Sequence, residues 1–307
     1  MTGFVVRRLL QTLLTAFVVS IAVFSMIHLA TGEIGPFAAG EQATRLEIEI
    51  WEERLGLDKP LHVQYGLWLS RMVRGDMGQS WFTGRPVSGD VGRAFRVTLV
   101  LSAVTFVVVT IGGLVLGVVA ATRPNTTYDL AVMLLATAGF AIPAFWLGLM
   151  LIQLFGVRLG WLPTFGWGTP RHMVLPVATM GLSSLALIAR MTRSTILEAL
   201  VEDYVRTARA KGLSGRIVVW KHAMRNAMLP VVTVIGLRLG HLLTGSVITE
   251  IVFAVPGLGR LIVSSISDRD IPVLQGGVMF VTMIFIAVNT LVDLVYGFLD
   301  PRVRIAG

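Results

Sequence analysis

Cysteine is absent from the 307 residues, which excludes disulfides, thiolate metal sites and a cysteine nucleophile. Charge is scarce. Asp, Glu, Lys and Arg make up 14% of the chain, against roughly 25% in a soluble domain. Lysine occurs only at Lys59, Lys211 and Lys221; its rarity beside arginine reads as coding bias rather than chemistry. No Gly-x-x-x-x-Gly-Lys-Ser/Thr phosphate loop occurs, so the chain cannot cradle ATP in that way. The histidines, at 28, 62, 172, 222 and 241, include no two at metal-ligand spacing, and no bound metal is expected. There is no low-complexity tract, and no inverted repeat of the secondary-transporter kind.

What is present is apolar. Hydrophobic residues make up 54% of the chain, and its mean hydropathy is +0.76. A bilayer core about 30 Å thick needs roughly 20 apolar residues of helix. Leu9–Ala30, Val97–Ala121, Leu130–Val157, Val231–Phe253 and Val273–Val292 meet this, and Met173–Ala189 is shorter but still long enough. Pro143 lies near the middle of the third run, and Pro176 is expected in the first turn of the fourth. The first run exceeds the 7–15 apolar residues of a cleavable signal and reads as a retained anchor. The expected fold is all-α: one polytopic membrane domain over 1–307 with six transmembrane helices.

The net charge of +8 suits either nucleic acid or a membrane surface. The basic residues fall between apolar runs and do not interleave with aromatics, so membrane orientation accounts for them and no nucleic-acid partner is expected. With a cytoplasmic N-terminus, thirteen Arg and Lys fall on inner segments. Only Arg158, Arg171, Arg260 and Arg269 fall in the two short outer loops. The bias places both termini in the cytoplasm. Residues 31–96 then form an extracytoplasmic segment. Its nine acids and eight bases, and the breakers Gly56, Pro60, Gly75, Gly78, Gly84 and Pro86, predict short helices and turns, with Glu41–Leu55 the clearest helix.

The inner loop at 191–229 is too short for a domain but has strong local design. Glu198–Lys211 reads as helix, with Tyr204, Val205 and Ala208 among its apolar positions. Gly212 stands where a C-cap glycine belongs, and Ser214 is placed to cap a second helix. One reading is a solvated basic loop that only sets topology. The other is a docking knob, with Tyr204, Val205 and Ala208 filling a pocket on a cytoplasmic protein.

Tyr-Val-Arg-Thr-Ala-Arg-Ala-Lys-Gly-Leu (204–213), followed by His-Ala-Met-Arg-Asn-Ala-Met-Leu-Pro (222–230), resembles the EAA loop of ABC import permeases. Arg206, Thr207 and Ala208 stand at the Glu-Ala-Ala positions, so only the second Ala matches, and Gly212 matches the central Gly. Leu55-Gly-Leu-Asp-Lys-Pro60, Arg74-Gly-Asp-Met-Gly78, Val255-Pro-Gly-Leu-Gly-Arg260 and Asp300-Pro-Arg302 look like the dipeptide/oligopeptide/nickel branch, closest to its dipeptide permease B-type subunit. The resemblance covers nearly the whole chain. It implies a multi-pass subunit of the bacterial cytoplasmic (inner) membrane, surrounded by lipid, with no enzymatic activity of its own. It further implies ATPase partners that bind ATP and Mg, a second paralogous permease and an extracytoplasmic substrate-binding protein. The docking residues it implies are Tyr204, Val205, Arg206, Thr207, Ala208, Arg209, Lys211, Gly212 and Leu213. Dipeptides and short oligopeptides are the expected cargo, with nickel and haem as alternatives.

Ionisable residues inside spans are functional candidates. The fifth run carries Arg238, His241 and Glu250. Arg238 and His241 share a helix face, with Gly245 and Thr249 nearby, and either line the path or pair with a neighbouring subunit. Gln153 and Ser183 are weaker path candidates. Asn289 and Asp293, four apart, read as structural hydrogen-bonding groups. Gly236 and Gly240, like Gly113 and Gly117, have the small-xxx-small spacing of helix packing surfaces. Two rivals remain: a self-sufficient channel or secondary transporter, opposed by the EAA-like loop, and an intramembrane serine protease built on Ser183 and His241, in which Ser184 replaces the expected Gly.

Overall fold

The computed structural model describes residues 2–31, 43–244 and 246–299. Most of these residues are helical; the rest form turns and loops, with one isolated bridge between Gln79 and Pro86. They fall into two compact units, Met1–Val97 with Pro256–Gly307, and Thr98–Val255. Among the described residues, four helical stretches are long and apolar enough to cross a membrane, and up to six if each sharply bent pair counts as one span.

The first unit holds α1 (Thr2–Thr31), α2 (Arg45–Leu55), α3 (Leu61–Val73) and the start of α4 (Val87–Thr122). Helix α2 begins four residues later than the Glu41 expected. A reciprocal capping box fixes its start: Glu47 N–H donates to Thr44 Oγ1, and Thr44 N–H donates to Glu47 Oε2 at 2.7 Å. That second bond holds the Glu47 carboxyl below its ordinary range. Helix α3 follows Pro60 and docks on α1. There Tyr65 shares a 2.7 Å hydrogen bond with Ser20, and the Phe24 ring meets it edge-on at 5.4 Å.

Helix α4 has 36 residues and starts ten before the expected Val97. At 1.5 Å per residue it is about 54 Å long, well beyond a 30 Å bilayer core. Its early turns bury Val87, Val91 and Ala94 in a cluster with Leu258 and Val273. Leu258 opens a short helix (Leu258–Ser267), and Val273 lies near the start of the last long helix (Ile271–Leu299).

In the second unit the third apolar run is not one straight helix. Helix α5 (Thr127–Ala141) stops where Ile142 turns extended at φ −86°, ψ 120°. The residue before proline is pushed out of the α region, and here that residue precedes Pro143. The chain restarts as α6 (Ala144–Leu151) at 110° to α5 and ends in a π-helical turn, Ile152–Arg158. Helix α7 (Pro170–Leu200) is 31 residues long, well beyond the expected Met173–Ala189. Pro170, not Pro176, occupies its first turn, where the missing N–H has no helical partner; Pro176 lies inside the helix.

The α4–α7 approach depends on two glycines. A Cβ at Gly113 would come within 2.7 Å of Ile188 Cβ, and one at Gly117 within 2.5 Å of Thr192 Cβ and 2.6 Å of the Ala189 carbonyl. Helix α5 is tied to α7 by an ion pair. Arg193 donates to Asp129 through both Nε and Nη2, the latter at 2.7 Å, and Asp129 also accepts from Asn125 N–H at 3.0 Å. The Asp129 side chain is 6% exposed and that of Arg193 23%.

Asp129→Asn is expected to cost about 2–3 kcal/mol, because it leaves a partly buried guanidinium unmatched. The double variant Asp129→Leu, Arg193→Met should recover most of that loss. Thermal melting of the purified chain in detergent reads both. Gly117→Leu should lower the melting temperature more than Gly3→Leu, where a Cβ meets nothing within 4 Å, since only the former forces α4 and α7 apart.

Candidate functional site

The helix read as a docking knob is observed, with a different face outward. Helix α7 ends at Leu200. Val201 and Glu202 then break the expected Glu198–Lys211 helix, and Glu202 turns extended at φ −67°, ψ 149°. Helix α8 (Asp203–Ala210) follows. The expectation that Val205 and Ala208 point outward is corrected: they are 0% and 4% exposed. They pack into the chain's own core with Val118, Ile196, Ala199 and Val218, because apolar residues three apart share the helix face turned to that core. The outward residues are Tyr204, Arg206, Thr207, Arg209, Lys211 and Leu213. Ile217 and Trp220, further along, are exposed apolar side chains.

Gly212 closes α8 as expected. It sits at φ +76°, its N–H donates to the Arg209 carbonyl at 2.9 Å, and Leu213 N–H reaches back to Ala208 at 3.4 Å. This pair of bonds is a Schellman cap, which needs a left-handed residue at that position. Ser214 takes the following cap position in extended conformation but makes no side-chain bond. The helix it precedes is a single turn, Gly215–Ile217, running into a π-helical turn, Val218–Ala223, and then into α9 (Met224–Thr244). The exposed pair Arg206–Asp203, at 3.6 Å, adds little stability and leaves the outward face net positive.

The polar residues of the fifth run separate. Arg238 is half-buried and His241 exposed on α9, Gly240 is buried and Gly236 half-buried. Gly245 lies outside the described residues. Thr249 is 1% exposed and Glu250 0%, both on α10 (Ser246–Val252). Glu250 accepts a 2.7 Å hydrogen bond from Thr98 on α4, and Ser102 on α4 donates to the Leu242 carbonyl at 3.3 Å. So Thr249 and Glu250 are enclosed by the protein, while Arg238 and His241 are not. Gln153 is exposed on the π-helical turn and Ser183 half-buried on α7.

Helix α11 (Leu258–Ser267) and α12 (Ile271–Leu299) complete the first unit. Asp293 on α12 pairs with Arg8 on α1. One turn away the Thr12 and Thr290 hydroxyls meet at 2.8 Å, beside Asn289 in a small cavity of about 180 Å³. Asn289 and Asp293 thus stand at a helix–helix seam.

Three groups escaped the sequence reading as sites. Asp129 and Arg193 were an acid and a base near opposite ends of different runs, with nothing to pair them. Asp270 is 4% exposed. It accepts from Ser80 Oγ, from Trp81 N–H at 3.2 Å and from Val273 N–H at 3.4 Å. An Asp just ahead of an apolar run, here three residues before Val273, is a helix N-cap signal, and that signal was available.

Residues 113–305 match the family described as binding-protein-dependent transport system inner membrane component, and residues 1–95 match its N-terminal membrane component. The chain is 43% identical over 304 residues to the glutathione transport system permease protein GsiC of Escherichia coli strain K12, covering 99% of each chain. The GsiC of Shigella dysenteriae serotype 1 matches to the same extent. Among solved structures, an amino acid ABC transporter with histidines matches with a TM-score of 0.56 at 16% identity, over 67% of this chain and 92% of that one. The inward-facing MetNI methionine ABC transporter matches with a TM-score of 0.51 at 24% identity, over 67% and 95%. At these identities the structural likeness shows the fold alone. The family matches and the full-length relatives show more: the chain belongs to the binding-protein-dependent inner membrane components, multi-pass permease subunits of ABC importers whose ATPase activity lies in separate subunits.

Proposed function

We propose that this chain is a translocation subunit for dipeptides and short oligopeptides. The observation that carries this reading is the 43% identity, over 99% of both chains, to a permease named for glutathione transport. Glutathione is itself a small peptide. Family membership implies ATPase subunits, a second permease and a binding protein as partners.

Helix α8 is the coupling element in this reading. Its inner residues Val205 and Ala208 anchor it to α7 and α4, so a push on its outer face moves long helices rather than a free loop. Tyr204, Arg206, Thr207, Arg209, Lys211 and Leu213 offer that outer face. The Schellman cap at Gly212 fixes the angle at which the chain leaves it. Among the candidate path residues, Arg238, His241, Gln153 and Ser183 reach the protein surface and Thr249 does not.

The test is a complex with its ATPase subunits, in which peptide uptake and ATP hydrolysis are measured together. Tyr204→Ala with Arg209→Glu alters only exposed side chains. It should leave the melting temperature unchanged and reduce uptake at least about tenfold, the loss of one or two well-packed contacts. Wild-type uptake in that variant would contradict the docking assignment. Ala208→Trp should instead destabilise the chain by about 1–3 kcal/mol through overpacking, seen as a lower melting temperature before any effect on coupling.

A further inference from the structure

The first unit encloses a second, larger cavity of about 440 Å³. That lies within the range of about 300 to 1,000 Å³ typical of small-molecule sites. Its walls come from α1, α2, α3, the turns at 76–84 and the start of α12. Four aromatic rings face it. Trp51 and Trp81 stand with centroids 6.4 Å apart, and Phe24 and Trp68 with centroids 5.7 Å apart. The wall is set in advance: Asp270 holds both Ser80 and Trp81 through the hydrogen bonds described above.

Its polar groups do not match one another. Trp68 Nε1 is buried without an acceptor. An unmatched buried donor is costly in a wall that serves packing alone. Arg71, three residues on, shares the Trp68 face of α3 and makes no ion pair among the described residues. Across the turn Asp76 has one carboxylate oxygen engaged by Gly78 N–H at 2.9 Å. The cavity therefore joins an apolar aromatic slot to two adjacent donors, one of them cationic, and to one anionic acceptor.

We propose that this cavity binds a short zwitterionic peptide carrying an apolar side chain. The side chain lies against the indole faces that line the cavity, the carboxylate accepts from Trp68 Nε1 and the Arg71 guanidinium, and the ammonium group faces Asp76. This rests on the reading of the chain as a short-peptide importer, and gives it a receiving site between Phe24, residues 51–84 and residues 271–275. A lipid acyl chain fits these groups less well. It brings no acceptor to Trp68 Nε1, and a lipid phosphate drawn to Arg71 meets the Asp76 carboxylate.

The test is equilibrium binding of tritiated Leu-Leu to the full chain in dioleoylphosphatidylcholine nanodiscs. Trp68→Phe keeps an aromatic ring and removes the N–H; Arg71→Gln alters an exposed side chain. Saturable binding by the wild type is expected, weakened about tenfold or more in each variant, with melting temperatures unchanged. No saturable binding, binding in both variants equal to that of the wild type, or a retained phospholipid that Arg71→Gln releases would each overturn the site. Uptake by the assembled importer separates the two readings. Leu-Leu uptake that needs this chain but ignores both variants defeats the site alone, whereas no peptide uptake at all defeats the importer reading.

Discussion

In hydrocarbon, every backbone N–H and C=O must find a partner within the chain, because water is not there to supply one. The rest of this structure follows from that constraint. Most of the described residues are helical because a helix satisfies its backbone alone. The same constraint makes departures from helix informative. The break at Ile142–Pro143 gives up a helical bond, and the chain accepts it only where a proline had already removed the donor. The extended turn at Glu202 opens α8 and the Schellman cap at Gly212 closes it; at the first the Glu198 and Ala199 carbonyls accept from Val201 and Glu202 N–H, and at the second the Arg209 and Ala208 carbonyls accept from Gly212 and Leu213 N–H.

Side chains obey the same rule. Asp129 with Arg193, Asp293 with Arg8, Glu250 with Thr98 and Asp270 with Ser80 each match a polar group that its helix would otherwise carry into an apolar setting. Each contact joins two elements, so the polar groups set which helices meet while small residues set how closely. Gly113 and Gly117 illustrate the second part: a methyl group at either position would overlap α7.

Much of this was legible in the sequence. Long uncharged runs mark lipid-facing helices, and Gly212 announced its left-handed cap because little else adopts that backbone. The resemblance around 204–230 pointed to the family that the full-length relatives establish. What was not legible depends on tertiary contact. Val205 and Ala208 looked like an exposed apolar tip because a single amphipathic helix does not say what covers its face. The third run looked like one straight helix because hydropathy does not register a bend. The cavity lined by Trp51, Trp68 and Trp81 draws on stretches more than 200 residues apart in the chain, a distance no local pattern bridges.

A permease is finally defined by what crosses through it. The most direct measurement is uptake of radiolabelled dipeptide and of labelled glutathione in cells lacking this chain, with and without the gene restored. The account predicts that uptake of at least one is lost and then rescued. Undiminished uptake of both, with loss of nickel or haem accumulation instead, would contradict the peptide assignment while leaving the family membership in place.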